Sequence, residues 1–205
     1  MSKLEKVKGL FSKVNLLEKI KAVFNKIIDP FLNTLVKFHV TPNEVTSSVF
    51  FFLAITILFL VKKNLVVSGL FLILTSLVDA VDGALAKKVG STRFGDFYDA
   101  FLDRIVEAAI YLTISLAYPE LYLPSFFALA FSFMTSYVAA RAEVWTIGVK
   151  IKYLGIGSRT GRLVILILAF LFNQLQIGLY LIIIVAGITM IGRTYVTMKI
   201  LRSNR

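Results

Sequence analysis

Residues 65–103 read LVVSGLFLILTSLVDAVDGALAKKVGSTRFGDFYDAFLD. From Leu65 to Val78 the stretch holds no charged residue, and it stays largely apolar as far as Leu85. A run of that length and apolarity is what an α-helix needs to cross a bilayer. Asp79 and Asp82 then appear near its end, followed by a short basic connection through Lys87, Lys88 and Arg93. A second helical segment opens on Gly95, Asp99 and Asp103 before turning apolar again. Two successive membrane helices with acids at the end they share form the unit from which the fold is read.

Composition agrees with that unit and is hard to reconcile with a soluble domain. The chain has 205 residues, 58% of them hydrophobic, only 17% charged, and a formal net charge of +11. Mean hydropathy is +0.81. A soluble domain is usually about half apolar and about a quarter charged. Apolar runs placed in a bilayer, with the basic residues outside it, remove the conflict. Six spans are expected, at about 45–61, 65–87, 95–117, 122–145, 160–174 and 177–198. The fold class is therefore an all-α integral membrane protein with six transmembrane helices. Lys62, Lys63 and Asn64, then Pro119 and Glu120, then Asn173 and Gln174 mark turns on one side. The opposite side gathers Lys87, Lys88, Arg93, Lys150, Lys152, Arg159, Lys199, Arg202 and Arg205. Basic residues mark the cytoplasmic face, so both termini and the acids are expected there, in a multi-pass protein of the cell (plasma) membrane.

Ahead of the spans, residues 1–40 form a basic, amphipathic juxtamembrane segment, and 41–205 form the six-helix membrane domain. Leu16, Leu17, Ile20, Val23, Phe24, Ile27 and Ile28 recur at three-to-four-residue spacing among lysines. That is the pattern of a helix with one apolar stripe. A Lys-rich polar face suits an anionic membrane surface; the same stripe would also serve packing against a partner helix. The segment lacks the uninterrupted apolar core and small-residue cleavage site of a signal peptide.

The absence of cysteine excludes disulfides, thiolate zinc sites and cysteine nucleophiles. A single histidine, His39, argues against His-rich metal sites and Ser-His-Asp chemistry. Chemistry must come from carboxylates, arginines, lysines and backbone. Asp79 and Asp82 are three apart and Asp99 and Asp103 four apart, so each pair shares a helix face. The short connection makes the two helices antiparallel neighbours, and all four carboxylates are expected to converge. Four uncompensated charges would repel one another strongly. With no His or Cys nearby, the natural counterion is a hard divalent cation, Mg²⁺ or Mn²⁺, bound through oxygen. Gly83, Ala86 and Gly95 lack bulk where a phosphate-bearing ligand would approach, and Lys87 adds positive charge. A lone membrane aspartate would be explained equally well by a salt bridge to a residue such as Arg104.

The order Asp79-x2-Asp82-Gly83-x2-Ala86-Lys87, then Gly95-x3-Asp99-x3-Asp103, resembles the signature of the CDP-alcohol phosphotransferases, with Lys87 where that family usually has Arg. The resemblance implies transfer of a substituted phosphate from a CDP-linked lipid to a second alcohol, with release of CMP. It implies that Asp79, Asp82 and Asp99 hold metal, with Asp103 beside them as general base. It also implies a homodimer, and partners that are lipid and small alcohol rather than nucleic acid. Thr41-Pro42-Asn43 is similar to the family's first-helix motif and would set Asn43 near the nucleotide, although a helix cap explains the same residues.

A second polar cluster bears on the acceptor. Arg141, Arg159, Arg162 and Arg193 should lie at the depth of the aspartates, and arginines bind phosphate through paired hydrogen bonds. They would equally satisfy the positive-inside bias by touching lipid headgroups. The Ser136-Tyr137-x2-Ala140-Arg141-Ala142 stretch, Arg159-x2-Arg162-Leu163 and Arg193 resemble the branch of the family that uses inositol 1-phosphate. Glycerol 3-phosphate is the nearest rival acceptor. Outside enzymology, a divalent cation carrier would also place acids in a membrane, though here they lie toward one face with no inverted repeat of broken helices. A membrane scaffold would account for neither the glycines nor the spacing.

Overall fold

The computed structural model describes residues 28–146 and 155–203. The apolar stripe from Leu16 to Ile27, and the basic residues Lys150, Lys152 and Arg205, lie outside the described residues. The end of the lead-in segment is helical over 28–37 (α1). Leu32 on α1 is buried while Phe31 and Val36 are exposed, and Asp29 pairs with Lys88 at 2.5 Å.

Six longer helices follow, one for each expected span. Thr41 begins α2 (Pro42–Val61) with a reciprocal cap: its hydroxyl accepts from the Glu44 backbone N–H, and Glu44 accepts from the Thr41 N–H at 2.7 Å. Asn64 caps α3 (Leu65–Val89), which stops at Gly90, whose φ of +98° favours glycine. Thr92 caps α4 (Arg93–Ala117), and a 3₁₀ turn at Pro119–Leu121 leads into α5 (Tyr122–Trp145). Ser158 caps α6 (Arg159–Leu171), and α7 (Leu175–Ser203) closes the bundle. No strand occurs among the described residues. The observed ends move outward wherever a cap or a charged last turn extends a helix, as α7 does through Ser203.

Four segments are long and apolar enough to cross a membrane: α2, α3, Pro119–Trp145 and α7. The other two expected spans differ for visible reasons. α4 carries Arg93, Asp96, Asp99, Asp103, Arg104 and Glu107 in its first 15 residues, and α6 has only 13 residues.

Packing departs from expectation at one point that matters. α2 packs on both α3 and α4, while α3 and α4 scarcely approach each other directly. They are consecutive in the chain but not packed neighbours, because α2 takes the place between them and the three-residue link Gly90–Thr92 lets them part. The other main contacts are α3 with α6, α6 with α7, α7 with α5, and α5 with α4, with a slight one between α5 and α6. Leu60, Leu72, Ile110, Ile114, Phe170, Leu179 and Ile182 are the buried centre. Gly69 permits the α3–α6 crossing, since a Cβ there would sit 3.0 Å from Phe170 Cβ. Hydroxyls bond across helices, Thr135 to the Ala186 carbonyl at 2.9 Å and Ser125 to the Tyr111 carbonyl at 2.6 Å. Such bonds suit a bundle that gains nothing from excluding lipid. The alternation of helices brings the starts of α2, α4 and α6 and the ends of α3, α5 and α7 to one end.

Candidate active site

At that end, carboxylate oxygens of Asp79, Asp99 and Asp103 lie within 4.8 Å of one another. Asp79 comes from the second half of α3, and Asp99 and Asp103 from successive turns of one face of α4. Asp82 is set apart from this group. Three residues turn a helix by about 300°, so its side chain diverges by about 60° from that of Asp79. That rotation takes it to the wall shared with Thr46 of α2, where it is 4% exposed. Its Oδ2 is buried without a hydrogen-bond partner.

The separation of α3 and α4 leaves a cleft of about 470 Å³ beside these acids. Asn43, Asp82, Gly83, Ala86, Lys87, Gly95 and Asp99 all line it, so every residue expected to meet the nucleotide faces one space. Two glycines shape it differently. A Cβ on Gly83 would meet nothing within 4 Å, so that surface is simply left open to a ligand. A Cβ on Gly95 would lie 3.2 Å from Asn43 Oδ1, so Gly95 lets the Asn43 amide lean onto the start of α4. Thr41, Pro42, Thr46, Gly90, Ser91, Thr92 and Asp96 complete the wall. Sequence reasoning passed over Asp96, although it stands three residues before Asp99 on the same face.

The arginines do not form one patch. Arg159, at the start of α6, reaches into the acids: its Nη1 is 3.0 Å from both oxygens of Asp79 and 2.6 Å from Asp103 Oδ1. Arg162 is 1% exposed and grips Glu107 with two hydrogen bonds, Nε to Oε1 at 2.8 Å and Nη2 to Oε2 at 2.9 Å. Arg193 is 3% exposed and donates to the Thr135 carbonyl at 2.9 Å. Arg141 is exposed and lies over the Trp145 ring, 5.8 Å from its centroid. Glu107 went unremarked as a functional residue in the sequence, because its partner lies 55 positions away.

Three carboxylates on rigid helix faces offer only hard oxygen donors, and the unpartnered Asp82 Oδ2 stands nearby as a fourth. That donor set fits a divalent cation of the Mg²⁺ or Mn²⁺ type. An oxygen-rich cation site opening onto a cleft with a lysine and three glycines is suited to a phosphate diester or diphosphate. The family model described as CDP-alcohol phosphatidyltransferase matches residues 39–197. The chain belongs to that family of membrane enzymes of phospholipid synthesis, and it is a transferase. Among its relatives, archaetidylinositol phosphate synthase of Pyrococcus horikoshii is 33% identical over 90% of this chain and 97% of its own. Phosphatidylinositol phosphate synthase of Cutibacterium acnes is 31% identical over 75% of this chain and 77% of its own. In three dimensions the chain is similar to Mycobacterium tuberculosis phosphatidylinositol phosphate synthase with CDP-DAG bound. The TM-score is 0.75 at 25% identity, over 84% of this chain and 94% of the other. Another structure of that enzyme, in complex with manganese and citrate, gives 0.72 at 25% identity over 82% and 88%.

Proposed function

We propose that this protein transfers the lipid phosphate of a CDP-linked lipid, CDP-diacylglycerol or CDP-archaeol, to the hydroxyl of inositol 1-phosphate and releases CMP. The observation that carries this reading is the three-carboxylate group at the edge of a cleft lined by Asn43, Gly83, Lys87 and Gly95. The inositol-phosphate acceptor rests on the relatives that align over most of the chain and on the arginines near the acids.

In this reading the CDP group lies in the cleft. Asn43 holds the nucleotide, the bare backbone at Gly83 and Gly95 admits it, and Lys87 faces the diphosphate. Asp79, Asp82 and Asp99, with Asp103 beside them, would hold the metal. A bound Mg²⁺ or Mn²⁺ offsets charge on the diphosphate and on departing CMP. Asp103 is the general base: it takes the proton of the acceptor hydroxyl as that oxygen attacks the lipid-bearing phosphorus. The bond from that phosphorus to the CMP oxygen breaks, and the proton passes from Asp103 to water. No covalent enzyme intermediate is required. Arg159 and Arg193, with Arg141 at the rim and Arg162 behind, are the candidates for the acceptor's own phosphate. Residues 1–40 and 41–205 act as lead-in and catalytic domain. The remaining organisation we infer is six spans, a homodimer, and both termini and the site at the cytoplasmic face of the cell membrane.

The test is CMP release by purified protein with Mg²⁺ or Mn²⁺, each CDP-lipid, and a panel of acceptors. Release with inositol 1-phosphate is expected. Release only with glycerol 3-phosphate would reassign the acceptor, and metal flux into vesicles without CMP release would favour a carrier.

A further inference from the structure

The turn 155–158, which launches α6, lies directly against the backbone of α7. A Cβ on Gly157 would sit 2.5 Å from the Val185 carbonyl oxygen and 2.9 Å from Ala186 Cα. A Cβ on Gly155, whose φ is +92°, would sit 2.5 Å from Thr189 Cγ2. No larger residue allows so close an approach. It is fastened by a hydrogen bond: the Gly157 N–H donates to Thr189 Oγ1 at 2.9 Å, and Thr189 is 5% exposed.

Both ends of this bond lead to arginines. Thr189 stands one helical turn before Arg193 on α7. Gly157 stands two residues before Arg159, and its carbonyl accepts from Arg162 Nη1 at 2.6 Å. Ser158, next in the chain, caps α6 by accepting from the Gly161 N–H at 3.4 Å. The Thr189 hydroxyl is therefore where the helix bearing Arg193 meets the turn that carries Arg159 and Arg162. Arginines from two helices can close on one small anion only at a fixed spacing. Without the hydroxyl the buried Gly157 N–H would be left unpaired, and the turn would have to shift to satisfy it.

We propose that Thr189 is a positioning residue for the acceptor: its hydroxyl pins the turn 155–158 to α7 and so sets Arg159 and Arg162 at the distance from Arg193 that an acceptor phosphate spans. This rests on the phosphorylated acceptor of the reading above and adds a residue that touches no substrate. The donor cleft is lined by neither Thr189 nor any residue of the turn, so the effect belongs to the acceptor alone.

The test uses the full chain in lipid nanodiscs with Thr189→Val, which keeps the shape and loses the hydroxyl, and Thr189→Ser, which keeps the hydroxyl. With inositol 1-phosphate, Thr189→Val should raise the acceptor KM about tenfold while the CDP-lipid KM moves by no more than about twofold. Thr189→Ser should stay within about threefold of wild type for both. Amide hydrogen exchange over residues 155–161, which needs no substrate, should quicken in Thr189→Val and not in Thr189→Ser. An unchanged acceptor KM or unchanged exchange in Thr189→Val overturns the proposal. So does a joint rise of both KM values, the mark of general damage. A Thr189→Ser variant as impaired as Thr189→Val overturns it as well, because the methyl and not the hydroxyl would then matter. If wild type uses glycerol 3-phosphate in place of inositol 1-phosphate, the acceptor assignment fails, and the same KM comparison with that phosphate still decides the role of Thr189. A wild-type protein that uses no phosphorylated acceptor refutes both.

Discussion

On the α2 side of the three carboxylates the protein leaves a cleft of about 470 Å³, with Gly83 presenting bare backbone to it. On the α6 side it leaves about 20 Å³, and Arg159 and Arg162 are already engaged with protein acids. In the proposed reading the first is the donor side, prepared as space, and the second the acceptor side, prepared as charge. A large ligand needs a preformed hollow, and its binding can be read from the shape of that hollow. A small anion needs only a few donors aimed correctly. Its site is hidden in hydrogen bonds that the protein makes with itself.

Four experiments probe that contrast. Asp103 stands where the two sides meet, so Asp103→Asn should lower kcat by about 10²–10⁴-fold, the range for loss of a general base. CDP-lipid binding by the same variant should persist, measured by equilibrium binding in detergent; full activity would remove Asp103 as base. Arg193→Ala belongs to the acceptor side alone. It should raise the acceptor KM by about 10- to 100-fold, consistent with loss of a charged hydrogen bond, and leave the donor KM unchanged. Gly83→Ala belongs to the donor side alone. The added methyl meets no protein atom, so donor KM should rise a fewfold. Thermal stability should not fall, because Ala is favoured over Gly inside a helix by about 0.5–1 kcal/mol. A donor KM identical to wild type would mean that no ligand approaches α3 there. Lys88→Ala tests the contact between α1 and the end of α3, outside the cleft lining. Its pair with Asp29 is substantially exposed and should contribute no more than about 1 kcal/mol, a small shift in melting temperature.

The donor side was the more legible in the sequence. Carboxylates three and four apart on helices must share a face, and glycines beside them must leave room, whatever the rest of the chain does. Asp79, Asp99, Asp103, Gly83 and Gly95 therefore lie where spacing put them. Asp82 shows the limit of that rule. A pair three apart diverges by about 60°, enough to carry one member to another wall. The wedge made by α2 was not legible, because a short connection limits how far two helices part without saying what stands between them. The arginines were located at the correct end of the bundle but not in their pairings. Arg162 has its partner 55 residues upstream, a relation that no local pattern encodes.

The brevity of α6 has a consequence for the surrounding lipid. Thirteen residues rise about 20 Å, roughly 10 Å less than the hydrocarbon thickness of a typical bilayer. If α6 is one of the six proposed spans, with the turn Phe172–Gln174 at one membrane surface, its arginine-bearing start falls short of the headgroup plane on the other side. Charged groups at that depth would draw water and headgroups down to them, and the membrane would dimple inward beside the site. In the proposed reaction a water-soluble acceptor would then descend to the site, while its lipid partner travels sideways. Turnover should accordingly depend on the chain length of the host lipid, because a thicker membrane has further to bend.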